Sequence, residues 1–412
     1  MNTVTQREQK RAFLPYGRQH VTQADIDEVV SVLRSDWLTQ GPKVPEFERE
    51  LARLVSAEQA VACSSGTAAL HLTMLALGVR PGDVVVTSAN TFVATANCAR
   101  YVGASVRFAD VEPATGLIDV ESLHEMLEAD KDRRIKVVIA VHFAGQPVDL
   151  VEIHNLAVKH GTYVVDDACH ALGAGYDHEG ETYRIGGSSH SDMTVFSFHP
   201  VKHVAMGEGG AVTTDHEGVA ERMRIYRNHG LQKAGFAQTE MALSPLGEAN
   251  PWYYEMQQPG FNYRLTDIQA ALGVSQLQRL QWSVDQRQAL ASEYRELIQT
   301  EFDSDEVNPL EVRSGVTHAY HLFVVRINFK KFGLSRARVM TALREKGVGT
   351  QVHYIPVHLQ PYYRHVNGTG PGDLPGAEAY YEQALSLPMY PNLTGEDCQR
   401  VVLALKKVLK RE

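Results

Sequence analysis

Cysteine is scarce in this chain, and its spacing carries no metal or disulfide signature. The 412 residues contain four cysteines, at positions 63, 98, 169 and 398, with no CxxC pair among them. Such sparse thiols exclude a disulfide-stapled scaffold and are typical of a reducing compartment. We therefore expect no metal site. Cys169 lies between two candidate site residues, but buried packing is its simpler role.

Long apolar runs and long basic runs are also missing. No stretch approaches the roughly 20 apolar residues that span a bilayer, and nothing near the first residue resembles a signal peptide. The net charge of −9 is spread along the chain, which disfavours binding to nucleic acid. We therefore expect a cytoplasmic protein that has neither a membrane nor a nucleic acid as a partner.

The composition that remains is that of a globular enzyme, with 44% hydrophobic and 22% charged residues. Short apolar strands alternate with helical segments through the first two thirds. This pattern predicts an α/β fold whose mostly parallel central sheet is covered by helices on both faces. The predicted strands are 60–63, 84–87, 105–110, 136–143 and 162–167, and the predicted helices between them lie near 92–102, 119–129 and 149–160.

The length exceeds that of one typical domain, so a division is expected. We predict an N-terminal arm (1–20), a large domain (21–305) and a smaller C-terminal α+β domain (306–412). Glycine, proline and aromatic residues at 230–260 predict an extended loop inside the large domain. Later predicted elements are one helical stretch over 266–300, a strand at 320–327, and helices near 335–346, 376–386 and 395–410.

One lysine, Lys202, stands in the apolar and glycine-rich stretch FSFHPVKHVAMGEGG, at 196–210. A strand-like run precedes this lysine and three glycines follow it, so we expect it at the floor of a cleft. Desolvation there lowers the pKa of the amine and makes it nucleophilic, suited to a Schiff base with pyridoxal phosphate. A lone loop lysine is more often exposed, so the prediction depends on neighbouring motifs.

The segment YVVDDACHALGA (163–174) is the first of these motifs, because it ends an apolar strand in Asp166 and Asp167. A carboxylate at the end of a buried strand can pair with the pyridine nitrogen of the cofactor and keep it protonated. The simpler role of such an aspartate is to cap a helix.

The segment CSSGTAAL (63–70) is the second motif, in which a strand turns through Gly66 and Thr67 into a helix. Free backbone N–H groups and the helix dipole at such a turn form an anion site that suits a phosphate. Small residues at a strand-to-helix turn are also typical of tight packing.

Taken together and in order, these motifs resemble the DegT/DnrJ/EryC1/StrS family of sugar aminotransferases, which are fold type I pyridoxal-phosphate enzymes. The resemblance runs from PYGRQHVT (15–22) to ALSLPMYPNLT (384–394). Within the family, HFAGQP (142–147), FSFHPVKH (196–203), GFNYRLTDIQAALG (260–273) and QVHYIPVHLQPYYR (351–364) are most similar to one branch. That branch aminates C4 of a UDP-linked 4-keto-6-deoxy-hexosamine on the way to pseudaminic acid.

The resemblance implies pyridoxal 5′-phosphate as the cofactor, glutamate as the amino donor, and Lys202 and Asp167 as catalytic residues. It also implies a homodimer with shared active sites, in which the asparagine of GFNYR binds the phosphate of the neighbouring subunit. The implied cofactor-binding residues are Ser65, Gly66, Thr67, Phe92, Asp167, His170, Ser197, Lys202 and Asn262. The implied substrate-binding residues are Thr39, His199, Arg264, Tyr320, His353, Tyr354 and His358.

Several of these residues have simpler roles that the sequence leaves open. Without the resemblance, the pattern around Asn262 and Arg264 predicts a polar surface loop. Phe92 is equally suited to a place in the hydrophobic core. Tyr354 is equally suited to packing within the small domain. We assign His170 and His199 no role in proton transfer. The chain also departs from the family at Ala205 and Met206, where threonines are expected, and we expect this loss of hydroxyls to alter the pocket.

Other functions remain open at this stage. One is an amine transaminase that acts on small ketones, and another is amination of a different nucleotide 4-keto sugar, such as a perosamine precursor. A 3-dehydratase of the same fold is disfavoured because that branch has histidine at the position of Lys202. A catalytically silent binding protein is disfavoured because Gly66, Thr67, Asp167 and Ser197 are all in place.

Overall fold

The computed structural model of the protein describes residues 12–410. The first eleven residues of the predicted arm lie outside this range. Within it, Leu14 forms a bridge with Val348 and is buried in the small-domain core. No helix among residues 12–410 is long and apolar enough to cross a membrane.

Fourteen helices are distributed along the described chain. Their bounds are α1 (Gln23–Leu33), α2 (Lys43–Val55), α3 (Gly66–Ala76), α4 (Val93–Tyr101), α5 (Val120–Ala129), α6 (Leu150–His160), α7 (Glu217–Tyr226), α8 (Asp267–Leu277), α9 (Leu280–Glu301), α10 (Phe329–Phe332), α11 (Arg336–Glu345), α12 (Pro361–Asn367), α13 (Pro375–Gln383) and α14 (Gly395–Lys410). The strands are β1 (Gln59–Cys63), β2 (Val84–Ser88), β3 (Ser105–Ala109), β4 (Ile135–Val141), β5 (Tyr163–Asp167), β6 (Gly175–His178), β7 (Glu181–Arg184), β8 (Met193–Ser197), β9 (Gly210–Thr214), β10 (Leu231–Gln232), β11 (Glu255–Met256), β12 (Val307–Pro309), β13 (Val316–Thr317), β14 (Phe323–Ile327) and β15 (Ala384–Leu387).

A seven-stranded sheet forms the centre of the molecule, in the order β1-β9-β8-β5-β4-β2-β3. Strand β9 is antiparallel to both of its neighbours, and every other pairing in the sheet is parallel. The central strands are buried almost throughout, as their unbroken apolar runs require when helices cover both faces. The predicted α/β fold is confirmed, and the carboxyl ends of six strands share one edge.

A three-stranded antiparallel sheet, in the order β12-β14-β15, organises the C-terminal part. Helices α11 and α14 and the second half of α9 pack against it in a core of their own. This confirms the predicted small α+β domain. The boundary at 305 stays a prediction, because residues 290–302 of α9 already pack into the small-domain core.

Three predicted elements differ from the structure. The stretch 266–300 is not one helix, because the chain breaks at Gln278 and Arg279 between α8 and α9. The predicted helix 376–386 is wrong in its last residues, because β15 begins at Ala384 and pairs with β14. Local propensity favours continued helix there, and a partner strand distant in sequence overrides it.

The third difference is the loop at 230–260, which contains a short β10–β11 ladder and a 3₁₀ turn. Its centre is the carboxylate of Glu255, which accepts hydrogen bonds from the backbone N–H of Ala237 at 2.6 Å and of Gln238 at 2.8 Å. Burial raises the pKa of Glu255, but these hydrogen bonds outweigh burial and lower the pKa to about 2. The segment is therefore folded around one acceptor.

Helix α1 is fixed to α8 through the fully buried carboxylate of Asp25. This carboxylate accepts hydrogen bonds from Ser275 Oγ at 2.7 Å, Gln276 Nε2 at 2.9 Å and Arg279 Nη2 at 2.7 Å. Burial raises the pKa of Asp25, but the hydrogen bonds from Arg279, Ser275 and the Thr22 backbone leave it below its ordinary value. The ionised form is thus the one that stabilises the fold.

Replacing Asp25 by Asn should therefore lower the free energy of unfolding by about 2 kcal/mol at pH 7, because charged hydrogen bonds are lost. Because the pKa of Asp25 is lower in the folded state, its contribution to the free energy of unfolding is fully present at pH values above the unfolded pKa of about 3.9. The contribution is lost as the pH falls through the folded pKa. Urea unfolding between pH 3 and 7 measures the difference. Asp27→Asn, at an exposed position of the same helix, is the control. Equal effects of the two substitutions would contradict the assignment.

Candidate active site

A cavity of about 360 Å³ opens at the carboxyl edge of the central sheet. It lies where β1, β5 and β8 end and where α3 and α4 begin, with one wall from the C-terminal part of the chain. The cavity brings together most of the predicted site residues: Ser65, Gly66, Thr67, Phe92, Asp167, His170, Ser197, His199, Lys202, His353 and Tyr354. Five others lie elsewhere.

Lys202 stands at the floor of this cavity, in the turn that follows β8. Its backbone N–H donates to the His199 carbonyl at 2.9 Å, which closes a reverse turn with Pro200 at the second position. Burial lowers the pKa of the Lys202 amine to about 8, and the nearby Cys169 and Asp167 oppose that shift. A sizeable fraction of the amine is therefore neutral, and nucleophilic, near physiological pH.

The two aspartates at the end of β5 point to opposite faces of the sheet, as strand pleating requires. Asp167 lines the cavity, and it accepts hydrogen bonds from Thr95 Oγ1 at 2.6 Å and from the Cys169 N–H at 3.1 Å. Asp166 is fully buried behind the sheet, 3.6 Å from His142 Nε2. Only Asp167 is placed to act on a group in the cavity.

The start of α3 forms the opposite end of the cavity. Ser65 caps this helix, because its side chain accepts from the Ala68 N–H at 3.1 Å. Gly66 and Gly210 allow a close approach: a Cβ at Gly66 would lie 3.0 Å from the Ser197 Cβ, and one at Gly210 would lie 2.2 Å from the Ser65 carbonyl oxygen. The first N–H groups of the helix and the hydroxyl of Ser197 thus face one small space.

Aromatic and imidazole rings form the remaining wall. Phe92 and Tyr354 have ring centroids 6.0 Å apart, and the Tyr354 hydroxyl lies 3.1 Å from His170 Nε2. Burial, followed by the charge of Lys202, lowers the pKa of His353 to about 3 and holds the pKa of His170 well below its usual value. Both histidines are therefore neutral, and Lys202 is the only lysine or arginine that lines the cavity within residues 12–410.

Comparison with known proteins decides the family. The profile described as the DegT/DnrJ/EryC1/StrS aminotransferase family matches residues 19–406. The chain is 40% identical, over 98% of its length and 99% of the relative, to the spore coat polysaccharide biosynthesis protein SpsC of Bacillus subtilis. The chain belongs to the DegT/DnrJ/EryC1/StrS aminotransferase family.

Solved structures agree with this assignment. Helicobacter pylori PseC, an aminotransferase involved in the biosynthesis of pseudoaminic acid, superposes with a TM-score of 0.85 at 28% identity, covering 97% of this chain and 100% of that one. A putative sugar aminotransferase from Streptococcus pneumoniae, solved in its PLP form, gives 0.84 at 28% identity over 97% and 99%. The same protein is solved in a PMP form. This chain is a pyridoxal-phosphate-dependent sugar aminotransferase of fold type I.

The cavity of this aminotransferase fits pyridoxal phosphate by the chemistry of its donors. Lys202 supplies an amine with a lowered pKa, Asp167 supplies a buried carboxylate, and the start of α3 supplies N–H groups. His170 lines the cavity, and its ring nitrogen Nδ1 is buried without a hydrogen-bond partner within residues 12–410. In the part of the chain that the structure describes, Lys202 is the only lysine or arginine that lines the cavity, so these residues place no second cation there for a phosphate.

The predicted residues Thr39, Asn262 and Arg264 lie together outside the cavity. The Arg264 guanidinium donates to Asn228 Oδ1 at 2.7 Å, Asn262 forms a bridge with Asn228, and Thr39 forms a bridge with Thr266. Arg264 lines a separate surface cleft of about 240 Å³, which we call the basic cleft; its other arginines are Arg224 and Arg227. This cleft contains the cations that the cavity lacks.

Tyr320 and His358 also lie outside the cavity. The ring of Tyr320 stacks on His318 with centroids 3.8 Å apart. His358 is fully buried, with Nε2 3.1 Å from Glu378. Ala205 and Met206 are buried too and do not line the cavity, so the expected effect of their missing hydroxyls on the pocket is not supported.

Sequence reasoning missed several residues of the cavity, among them Glu208, Thr95 and His321. Thr95 holds Asp167, and its position three residues after Phe92 on α4 is a spacing that could have revealed it. His321 lies 3.4 Å from the Lys202 amine. No sequence pattern indicates His321, because its orientation follows from the positive φ of 46° at Tyr320.

The lowered pKa of Lys202 gives a prediction for the cofactor-free protein. Competitive labelling with an amine reagent, read by mass spectrometry across pH 6 to 11, should give Lys202 a reactivity midpoint near pH 8. Lys330, which is exposed, is labelled in the same digest as an internal reference. The ordinary pKa of a lysine side chain in water is about 10.4. A Lys202 midpoint at that higher value would mean that burial of the amine is not the dominant influence.

Proposed function

We propose that this aminotransferase moves an amino group from glutamate to C4 of a UDP-linked 4-keto-6-deoxy-hexosamine. The similarity to PseC along nearly both full chains, at a TM-score of 0.85, is the observation that carries the proposal. The relation to SpsC, a polysaccharide biosynthesis protein, supports a sugar substrate. The four reduced cysteines are in keeping with a cytoplasmic location, which we include in the proposal.

In this proposal Lys202 is the residue that binds the aldehyde carbon of the cofactor and then carries the proton. Bound pyridoxal phosphate supplies an electron-withdrawing ring that accepts charge from the reacting carbon. The lowered pKa of Lys202, about 8, suits an amine that must both take and return a proton near neutral pH. Its tether to the turn after β8 keeps the amine within reach of one reacting centre.

Asp167 is proposed to hold a positive charge on the cofactor ring nitrogen. The hydrogen bonds from Thr95 and from the Cys169 N–H fix its carboxylate in one orientation. Ser65, Gly66, Thr67 and Ser197 are proposed to hold the phosphate at the start of α3, where the helix dipole favours an anion. Phe92 and His170 then provide apolar and neutral faces for the ring.

Substrate binding is proposed for His199, His353 and Tyr354, which line the open side of the cavity. Neutral imidazole and phenol groups can donate and accept hydrogen bonds to sugar hydroxyls, and the flat rings pack against a sugar. Tyr320 and His358 have no contact with this cavity in the described chain, so the proposal does not include them.

The basic cleft is proposed to complete the site of a second subunit. A phosphate dianion and a nucleoside diphosphate both require cations, and the cavity provides only Lys202. Arg264 lines the basic cleft, and the exposed Asn262 lies two residues before it in the chain, so both can face another copy of the chain. We therefore propose a homodimer in which Thr39, Asn262 and Arg264 of one subunit serve the cavity of the other.

Replacing Asp167 by Asn should leave the cofactor bound and reduce kcat by roughly 100-fold, because a buried charge partner is lost. Absorbance of the cofactor and steady-state kinetics measure the two effects. Asp166→Asn is the matched control, since Asp166 lies behind the sheet, and it should alter stability more than kcat. If the Asp166 variant lost the activity and the Asp167 variant kept it, the roles would be exchanged.

Shared active sites predict complementation between two inactive variants. Lys202→Ala alone should abolish turnover, and so should a severe Asn262/Arg264 double substitution. A mixed dimer of the two should regain up to half of the wild-type activity per dimer, since one of its two sites contains no altered residue. Subunit exchange is verified with two affinity tags. Continued inactivity after proven exchange would mean that all these groups act within one chain.

A substrate panel tests the chemical proposal. With glutamate as donor, UDP-linked 4-keto-6-deoxy-hexosamine should be turned over far faster than the free keto sugar, because nucleotide binding energy orients the carbonyl. GDP- and dTDP-linked 4-keto sugars and simple ketones complete the panel, with product analysis by NMR. Efficient turnover of simple ketones without any gain from a nucleotide would favour the small-amine transaminase instead.

A further inference from the structure

We propose that His321 is a positioning residue for Lys202, whose ring nitrogen Nε2 accepts a hydrogen bond from the lysine amine and holds it in the cavity while the amine is free. His321 lies far from Lys202 in sequence, in the C-terminal part of the chain that forms one wall of the cavity. The inference rests on the proposed role of Lys202 and adds to it the group that controls where the released amine goes.

The contact itself is direct. His321 Nε2 lies 3.4 Å from Lys202 Nζ, and the histidine is 4% exposed. Its other ring nitrogen, Nδ1, is buried and has no partner within residues 12–410. Lys202 is therefore the only hydrogen-bond partner of the His321 ring in the described chain, and the rings of His170 and His203 lie beside it with centroids 4.4 Å and 5.9 Å away. Burial of a polar ring with one hydrogen bond costs free energy, so a packing role alone is a poor explanation.

The charge state of the ring suits an acceptor. Burial lowers the pKa of His321 well below its usual value, and the positive charges of Lys202 and Arg287 act in the same direction. The imidazole is therefore neutral, and one of its nitrogens presents a lone pair. On the Lys202 side, Cys169 and Asp167 are the other ionisable groups that affect the amine.

Arg287, on α9, fixes the backbone that carries His321. Its guanidinium is 1% exposed, and Nη1 donates to the carbonyls of Tyr320 at 3.1 Å, His321 at 3.4 Å and Met389 at 3.2 Å. Burial lowers the pKa of Arg287 to about 10, so it stays charged at neutral pH. Burying a cation whose only partners are carbonyl groups costs free energy. This cost is consistent with a requirement that the segment carrying His321 be held in one position.

Two amide side chains separate an acceptor from a space-filling role. The Oε1 of glutamine can reach the position of Nε2, whereas the Oδ1 of asparagine reaches only that of Nδ1. His321→Gln should therefore keep the contact with Lys202, and His321→Asn should lose it while remaining polar. His321→Leu fills the space without any acceptor. The three variants thus differ in whether residue 321 can accept a hydrogen bond from Lys202 more than they differ in side-chain volume.

The experiment measures the pH profile of Lys202 labelling in the full-length, cofactor-free protein. A lost acceptor destabilises the charged ammonium, so the Leu and Asn variants should shift the midpoint down by about one pH unit, whereas Gln should stay close to wild type. In the loaded enzyme, the half-reaction with glutamate should slow about tenfold in Leu and Asn and recover in Gln. Thermal melting shows whether each variant is folded.

Either of two results overturns the proposal: an unchanged Lys202 profile in His321→Leu, or Gln and Asn variants that behave alike. The labelling profile reads the Lys202–His321 contact whatever the substrate is. Failure of the proposed function appears instead as activity in Lys202→Ala or as no turnover of any nucleotide sugar. The two failures are therefore distinguishable.

Discussion

Desolvation of one ammonium group, that of Lys202, is the constraint on which the rest of the site depends. Burying a charged amine costs free energy, so the group responds by losing part of its proton affinity, and its pKa falls to about 8. The sheet edge makes this burial possible, because the ends of β1, β5 and β8 and the start of α3 surround the cavity that the lysine lines. Neutral histidines around it avoid adding further positive charge.

A second buried cation, Arg287, links this site to the small domain. Within the described chain it forms no ion pair with a carboxylate, and it donates hydrogen bonds to three backbone carbonyl groups. Those carbonyls belong to the segments that carry His321 and Met389. Through Arg287, α9 therefore connects the cavity wall that contains His321 to the core of the small domain, which contains Met389. Displacement of either segment would leave a guanidinium buried without partners, which is costly. The two domains are thereby coupled at the cavity.

The distribution of charge supports the proposal that a second subunit completes the site. Among residues 12–410 the cavity is lined by two carboxylates, Asp167 and Glu208, by one lysine and by aromatic and imidazole rings, whereas three arginines line a separate cleft. Keeping arginines out of the cavity limits the repulsion that would lower the pKa of Lys202 further. The proposed nucleotide-linked substrate is an anion that requires cations, which is the physical argument for the proposed second subunit.

The sequence by itself predicted where the strands lie along the chain and which lysine, strand-end carboxylates and glycine turn belong to the site. These features follow from apolar periodicity and from the order of motifs, which are local properties of a chain. Strand pattern alone did not separate Asp166 from Asp167, and the family resemblance pointed to Asp167. The pleat of β5 places Asp167 at the cavity and Asp166 behind the sheet. Sequence reasoning also missed Thr95 and His321 and placed helix over 384–386. Those outcomes depend on contacts between residues far apart in the chain, such as β15 with β14, and local propensity carries no information about such partners.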